Sequence, residues 1–110
     1  MDAILIFTNL PDRDSALRLA HELITARYAA CVNVLGGCTS VYRWEGAVET
    51  AEEVPLLIKT QAALYGSVEQ LIRERHPYEL PEIIAVPLAH GLPAYLDWVK
   101  AETLPFPANL

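Results

Sequence analysis

Seven consecutive residues, His76-Pro77-Tyr78-Glu79-Leu80-Pro81-Glu82, carry one imidazole, one phenol and two carboxylates. Groups of these types ligate metals through nitrogen and oxygen, respond to protons, or line a polar cleft. The two prolines fix their spacing. Each sets its own φ and pushes the preceding residue toward an extended backbone. His76 is therefore predicted to end a helix, and Leu80 to lead into a strand. Connectors usually rely on small, flexible residues, so a stiff one rich in polar groups marks a place for function. His76, Glu79 and Glu82 are the candidate metal ligands, a nitrogen-and-oxygen set acceptable to copper, zinc or nickel. The competing reading of His76 is a cation at a helix C-terminus, worth about 0.3–1 kcal/mol at an exposed site.

A second group surrounds a turn. Ser40, Tyr42 and Trp44 alternate, so they share one face of a strand just before the tight-turn pair Glu45-Gly46. Two large aromatics there serve as core, as interface anchors or as a ligand wall. Lys59 closes the apolar run Leu56-Leu57-Ile58. It either snorkels to water or meets an anion or a carboxylate such as Glu79 or Glu82. Tyr42, Trp44, Lys59 and Tyr78 are the candidate cleft residues. His21 and His90 stand alone in sequence. Cys31 and Cys38 form no CxxC, and no second pair completes a zinc site; they read as reduced thiols. The chain has no GxSxG, phosphate loop, HExxH or GxGxxG, so no catalytic residue is assigned and an enzyme is not expected.

The elements that position these groups follow from periodicity. Ala3 to Thr8 is a buried strand. Asp12 is a candidate N-cap for a helix whose stripe is Ala16, Leu17, Ala20, Leu23 and Ile24. Ala30 to Val34 is strand-like, Gly36-Gly37 marks a bend or bulge, and the strand resumes from Thr39 to Trp44. The return arm begins at Ala47, with Val54 to Ile58 its buried part; Pro55 must face an edge or a bulge. Thr60 is a candidate cap for a second helix, carried by Leu64, Val68, Leu71 and Ile72. Ile83 to Val86 is a short buried strand. Pro93 opens a last helix with Leu96 and Val99 on its apolar face, beside Tyr95 or Trp98. The tail Leu104-Pro105-Phe106-Pro107 is expected to dock. The order is βαββαβ: an α+β, ferredoxin-like fold with a long hairpin between the second and third strands and an extra C-terminal helix.

Its 110 residues suit a single domain, residues 1–110. Apolar residues make up 53% of the chain, and the mean hydropathy is +0.23. A small domain leaves much of its surface exposed, so this surplus implies a second copy covering the bare sheet face and the open edges. The net charge of −6, with eight scattered basic residues, argues against nucleic acid. No run approaches the roughly 18 apolar residues that cross a bilayer. Asp2 stands where a secretory leader carries positive charge, and the cytoplasm is the expected location.

Taken together, Ala30-Cys31-Val32-Asn33, Ser40-Val41-Tyr42-Arg43-Trp44-Glu45-Gly46, Ile58-Lys59-Thr60 and His76 to Glu82, with Tyr95 and Trp98 near the end, resemble the CutA family, the divalent-cation tolerance proteins. The resemblance spans nearly the whole chain in the right order. It implies a ferredoxin-like homotrimer whose hairpins pair between subunits and whose C-terminal segment packs on a neighbour. It implies copper or another divalent cation as ligand. The architecture also resembles PII-type signalling trimers, which implies the alternative of a signalling or scaffold trimer binding a small molecule or protein at inter-subunit clefts. The metal site implied by the resemblance draws on a Cys at the position of Phe7, a His at the position of Arg75, and on His76 and Glu82. Phe7 has no donor atom, and Arg75 stays protonated. Ala47 stands where the family often has a Lys.

Overall fold

The structure is a computed structural model and describes residues 2–105; the expected docking of Phe106 and Pro107 lies outside the described residues. The elements run β1 (Ala3–Leu10), α1 (Arg13–Thr25), β2 (Cys31–Val34), β3 (Cys38–Trp44), β4 (Ala47–Gln61), a 3-10 turn (Ala62–Leu64), α2 (Tyr65–Arg75), β5 (Ile83–Pro87) and α3 (Pro93–Glu102). Strand order is β2-β4-β1-β5, every pair antiparallel, and β3 pairs with the far half of β4. β2 and β3 thus form one bent arm of the long hairpin. This is the ferredoxin-like βαββαβ arrangement with α3 appended.

The two faces of the sheet differ sharply. Ile4, Ile6, Thr8 and Leu10 of β1, with Leu56, Ile58 and Thr60 of β4, are buried against α1 and α2. α1 contributes Ala16, Leu19, Ala20 and Leu23, an i, i+3, i+4, i+7 stripe. Leu19 therefore replaces the expected Ile24, which is exposed. α2 contributes Val68 and Ile72. Asp12 caps α1 as expected, accepting the Ser15 N–H at 2.8 Å. Thr60 does not cap α2: it is the buried penultimate residue of β4, and its hydroxyl donates to the Tyr28 carbonyl. The chain instead turns through the 3-10 segment before α2 begins.

The opposite face is met by α3 at one end, where Ala3 and Gln61 are buried, and is otherwise more open among the described residues. Cross-strand partners place Cys31, Lys59, Leu5 and Val86 in one row, and Asn33, Leu57, Phe7 and Ile84 in the next. Ile84 is 52% exposed and Val86 43%. Tyr95 and Trp98 of α3 pack on each other, centroids 5.6 Å apart, and stay partly in solvent; Val99 is the buried residue of that helix. α3 is held at its end by Gln61, whose Nε2 donates to Thr103 Oγ1 at 2.6 Å. Arg27, at φ 62, closes α1 and reaches the Ala101 carbonyl at 3.0 Å.

The bend at Gly36-Gly37 is a bulge. Val34 pairs with Leu56 and Cys38 with Glu53, so three residues, Leu35 to Gly37, oppose two, Val54 and Pro55. Pro55 sits at that irregularity, where it owes no ladder donor. Side chains alternate with period two, so one extra residue exchanges the faces of everything beyond it. In β2 the odd-numbered residues share the open face with Leu57 and Lys59; in β3 the even-numbered ones do. Ser40, Tyr42 and Trp44 therefore stand on the open face, in register with Ala51, Glu49 and Ala47.

The Thr8 hydroxyl is buried on the helix-facing side and has no hydrogen-bond partner among the described residues. An unsatisfied buried hydroxyl costs free energy that an apolar isostere avoids. Thr8→Val is expected to raise stability by about 1 kcal/mol, measured as a higher midpoint of urea unfolding with an unchanged slope.

Candidate functional site

The connector between α2 and β5 is tied to the sheet at both ends by one residue, Asn9 of β1. The Asn9 side-chain Nδ2 donates to Glu82 Oε1 at 3.0 Å. Its carbonyl oxygen meets His76 Nε2. The Tyr78 backbone N–H donates to His76 Nδ1 at 3.1 Å. Nδ1 thus carries a lone pair, and Nε2 carries the proton that it gives to Asn9. Both ring nitrogens are spent inside the fold, and His76 is only 8% exposed. Its backbone is extended, at φ −78 and ψ 133, as a residue before proline must be. The expected end of the helix at His76 is where α2 stops. The Tyr78 ring leans on the imidazole, centroids 4.6 Å apart.

This strapped connector forms one wall of a cavity of about 950 Å³, and the β3–β4 hairpin forms the other. Tyr42 and Trp44 enter from β3, Glu53 from β4, and Tyr78, Glu79 and Glu82 from the connector. Ile83 and Ile84 extend the lining onto β5. The wall is mixed, with aromatic faces and carboxylates together. Glu53 is 8% exposed, and no Lys, Arg or His nitrogen lies within 4.0 Å of it among the described residues. Burial raises the Tyr78 hydroxyl above the usual phenol range; the neighbouring Glu53 carboxylate and Tyr42 push it the same way. Tyr78 therefore stays a neutral phenol at any physiological pH.

Five of the seven expected site residues, Tyr42, Trp44, Tyr78, Glu79 and Glu82, meet in this cavity. His76 braces its wall from behind and does not line it. Lys59 lies elsewhere on the open face. Its ammonium donates to Asn33 Oδ1 and stands 3.9 Å from Cys31 Sγ, so the expected meeting with Glu79 or Glu82 does not occur. Cys31 and Cys38 are free and half-buried. Two residues central to the cavity were not expected from sequence. Asn9 was signalled only by the alternation of β1, which puts residues 5, 7 and 9 opposite the helices. Glu53 was signalled only by its place on the return arm, facing Cys38 across the bulge.

The fold and cavity define a small α+β domain with a ligand-sized cleft beside a sheet face that is only partly covered. The family described as CutA1 divalent ion tolerance protein matches residues 4–102, and the chain belongs to that family. It is 39% identical over 103 residues to the divalent-cation tolerance protein CutA of Thermus thermophilus, covering 94% of this chain and 99% of that one. It spans 57% and 56% of the chloroplastic CutA proteins of Oryza sativa and Arabidopsis thaliana. Among solved structures, CutA of Xylella fastidiosa superposes with a TM-score of 0.89 at 45% identity, covering 93% of this chain and 98% of that one. CutA1 of Oryza sativa superposes with a TM-score of 0.92 at 38% identity, covering 94% and 95%. The ferredoxin-like fold expected from sequence is that of these proteins.

The residues present do not fit a thiolate–imidazole metal centre. Phe7 lies on the open sheet face without a donor atom. Arg75 is paired with Glu22 of α1 at 3.0 Å. His76 has no free nitrogen. Among the described residues no group of three or more His, Cys, Asp or Glu is placed to hold a metal ion.

If Asn9 and His76 act as a strap, their truncations differ in size. His76→Ala removes a buried ring and strands the Asn9 carbonyl, and is expected to cost about 1–3 kcal/mol. Asn9→Ala loses only the bond to Glu82, in a more exposed setting, and is expected to cost about 0.5–1.5 kcal/mol. Chemical denaturation of both variants checks the order, and faster amide exchange at Tyr78 in His76→Ala alone checks the cause.

Proposed function

We propose that this chain is a ligand-binding member of the divalent-cation tolerance family, assembled as a homotrimer, whose working site is the cavity between the hairpin and the strapped connector. The observation that carries this reading is the convergence of Tyr42, Trp44, Tyr78 and the carboxylates on one cavity whose wall is held rigid by His76 and Asn9. A pre-formed, partly apolar cleft with a few fixed polar groups is the usual form of a small-molecule site. The reading is of a binding protein rather than an enzyme, acting in the cytoplasm; two free thiols suit a reducing compartment. A homologue from Archaeoglobus fulgidus is described as periplasmic, so location is a property in which relatives differ.

Assembly is supported by the physics of the bare face. Among the described residues β5 pairs with β1 alone and offers an open edge. Its residues Ile84 and Val86, with Leu80 at 70% exposure beside them, form apolar surface continuous with the cavity mouth. Exposed apolar strand edges are rarely left uncovered. A trimer is what the resemblance to CutA proteins implies, and it turns the cavity into an inter-subunit cleft. Sedimentation equilibrium is expected to give three times the 12.2 kDa chain mass, and Ile84→Asp is expected to shift the population toward single chains.

A divalent metal is the second reading, favoured by the tolerance described for the relatives. It would draw on Glu79 and Glu82, with copper as the first ion to try, and His76 could join only by giving up its bond to Asn9 or to the Tyr78 N–H. The two readings separate in one set of measurements. On the cleft reading, a low-salt thermal-shift screen of small organic ions and nucleotides finds a stabilising ligand that also changes Trp44 fluorescence. Calorimetric titration with Cu(II) then gives weak binding that is equal in the wild type and His76→Ala. Tight Cu(II) binding lost in His76→Ala, with no organic ligand found, would reverse the assignment.

A further inference from the structure

Glu53 is a buried carboxylate with no cationic partner among the described residues. It is a charged side chain with only 8% of its surface exposed. Buried carboxylates are ordinarily paired with a cation or fully hydrogen-bonded. No basic nitrogen lies within 4.0 Å of Glu53 among the described residues. The group beside it is the phenol of Tyr78, which hydrogen-bonds the carboxylate but is neutral and leaves its charge uncompensated. The open direction from Glu53 is the cavity, which it lines.

The rest of the lining has the same polarity. Glu79 and Glu82 add two more carboxylates at the connector, and Arg43 is the one basic residue of the wall. Arg43 makes no ion pair with any of the three. Low-dielectric walls concentrate the field of like charges, so the cavity attracts cations and repels anions. Tyr42, Trp44 and Tyr78 line the same space. Aromatic faces attract an ammonium through their quadrupole and exclude water from it. They provide no lone-pair ligand for a metal ion, and no cluster of three metal-ligating side chains exists among the described residues. The chemistry that satisfies every wall at once is an organic cation.

We infer that the cavity takes an alkylammonium group, with its N–H donors directed at Glu53 and its carbon body against Tyr42, Trp44 and Tyr78. This rests on the reading of the cavity as a small-molecule site and names the class of ligand. The N–H donors matter: a buried carboxylate must accept hydrogen bonds as well as face a charge. Primary and secondary amines therefore fit better than quaternary ones. The cavity of about 950 Å³ is larger than an ammonium head requires. It leaves room for an aryl or alkyl body along the apolar side chains of Leu80 and Ile84.

Isothermal titration at low salt and neutral pH tests this on the full chain with four probes of nearly equal shape. These are 2-phenylethylammonium, its N,N,N-trimethyl derivative, 2-phenylethanol and 3-phenylpropanoate. The expected order has 2-phenylethylammonium saturable and tightest, the quaternary derivative weaker, and the alcohol and carboxylate without measurable heat. Glu53→Gln keeps the shape and removes the charge. It is expected to weaken 2-phenylethylammonium by about tenfold or more, because hydrogen bonds to charged groups are the strong ones. Glu49→Gln on the exposed part of the hairpin is expected to leave binding unchanged. If 3-phenylpropanoate or a nucleotide binds and Glu53→Gln does not weaken it, the small-molecule site stands and the alkylammonium assignment falls. If no probe and no nucleotide binds, both fall. If the amine fails to bind and Glu53→Gln lowers the mass of the assembly, Glu53 serves a cation from a neighbouring copy, and the inference is overturned.

Discussion

The bracket that Asn9 places around the connector is the constraint on which the rest of the site depends. Its carbonyl holds His76 and its amide holds Glu82, so one residue of the central strand β1 fixes both ends of a seven-residue segment. The prolines remove most of the backbone freedom between those ends. The segment arrives at the sheet already ordered, and little conformational entropy remains to be lost when a ligand settles against it. Rigid walls are what a weakly attractive cavity needs, because each ordering cost subtracts from a small gain.

The bracket also explains why an imidazole is found in a place where it ligates nothing. His76 ends α2, precedes Pro77, and must satisfy a loose carbonyl on β1 and a loose N–H on Tyr78 at once. Neutral imidazole offers one donor and one acceptor on opposite sides of a small rigid ring. Few side chains span that gap with that polarity. Arg75, one residue earlier, is committed sideways to Glu22 and locks α2 to α1. The two residues of this corner with the most polar chemistry are therefore structural.

Much of this was legible in the sequence, and the limits have physical causes. Periodicity placed every strand and helix. The glycine pair located the bulge, and Pro77 marked the end of α2. The aromatic alternation at Tyr42 and Trp44 identified a shared face. Thr60 misled because a Thr before an apolar helical run reads as a cap; the β4 strand instead continued through it, since β1 offers Ala3 as a partner for Gln61. The α1 stripe was placed slightly out of rotation because Leu17, Leu19 and Ile24 are equally apolar, and only the tilt of the helix on the sheet chooses among them. Lys59 could not be assigned because its meeting with Asn33 and Cys31 depends on the hairpin register, which the extra residue at the bend shifts. Asn9 and Glu53 were out of reach because each matters through contacts with the distant connector that no local pattern encodes.

The bulge at Leu35 to Gly37 has a consequence for how such cavities diversify. Beyond it Tyr42 and Trp44 keep their face because β3 pairs with β4 from Cys38 to Trp44, a register set by the turn at Glu45-Gly46 and not by the bend. The extra residue is absorbed between two ladders that are each intact. Losing or adding a residue between Val34 and Cys38 therefore leaves the cavity wall facing the same way. In this fold the glycine-containing bend is a place where chain length drifts while the charge of the cavity is kept.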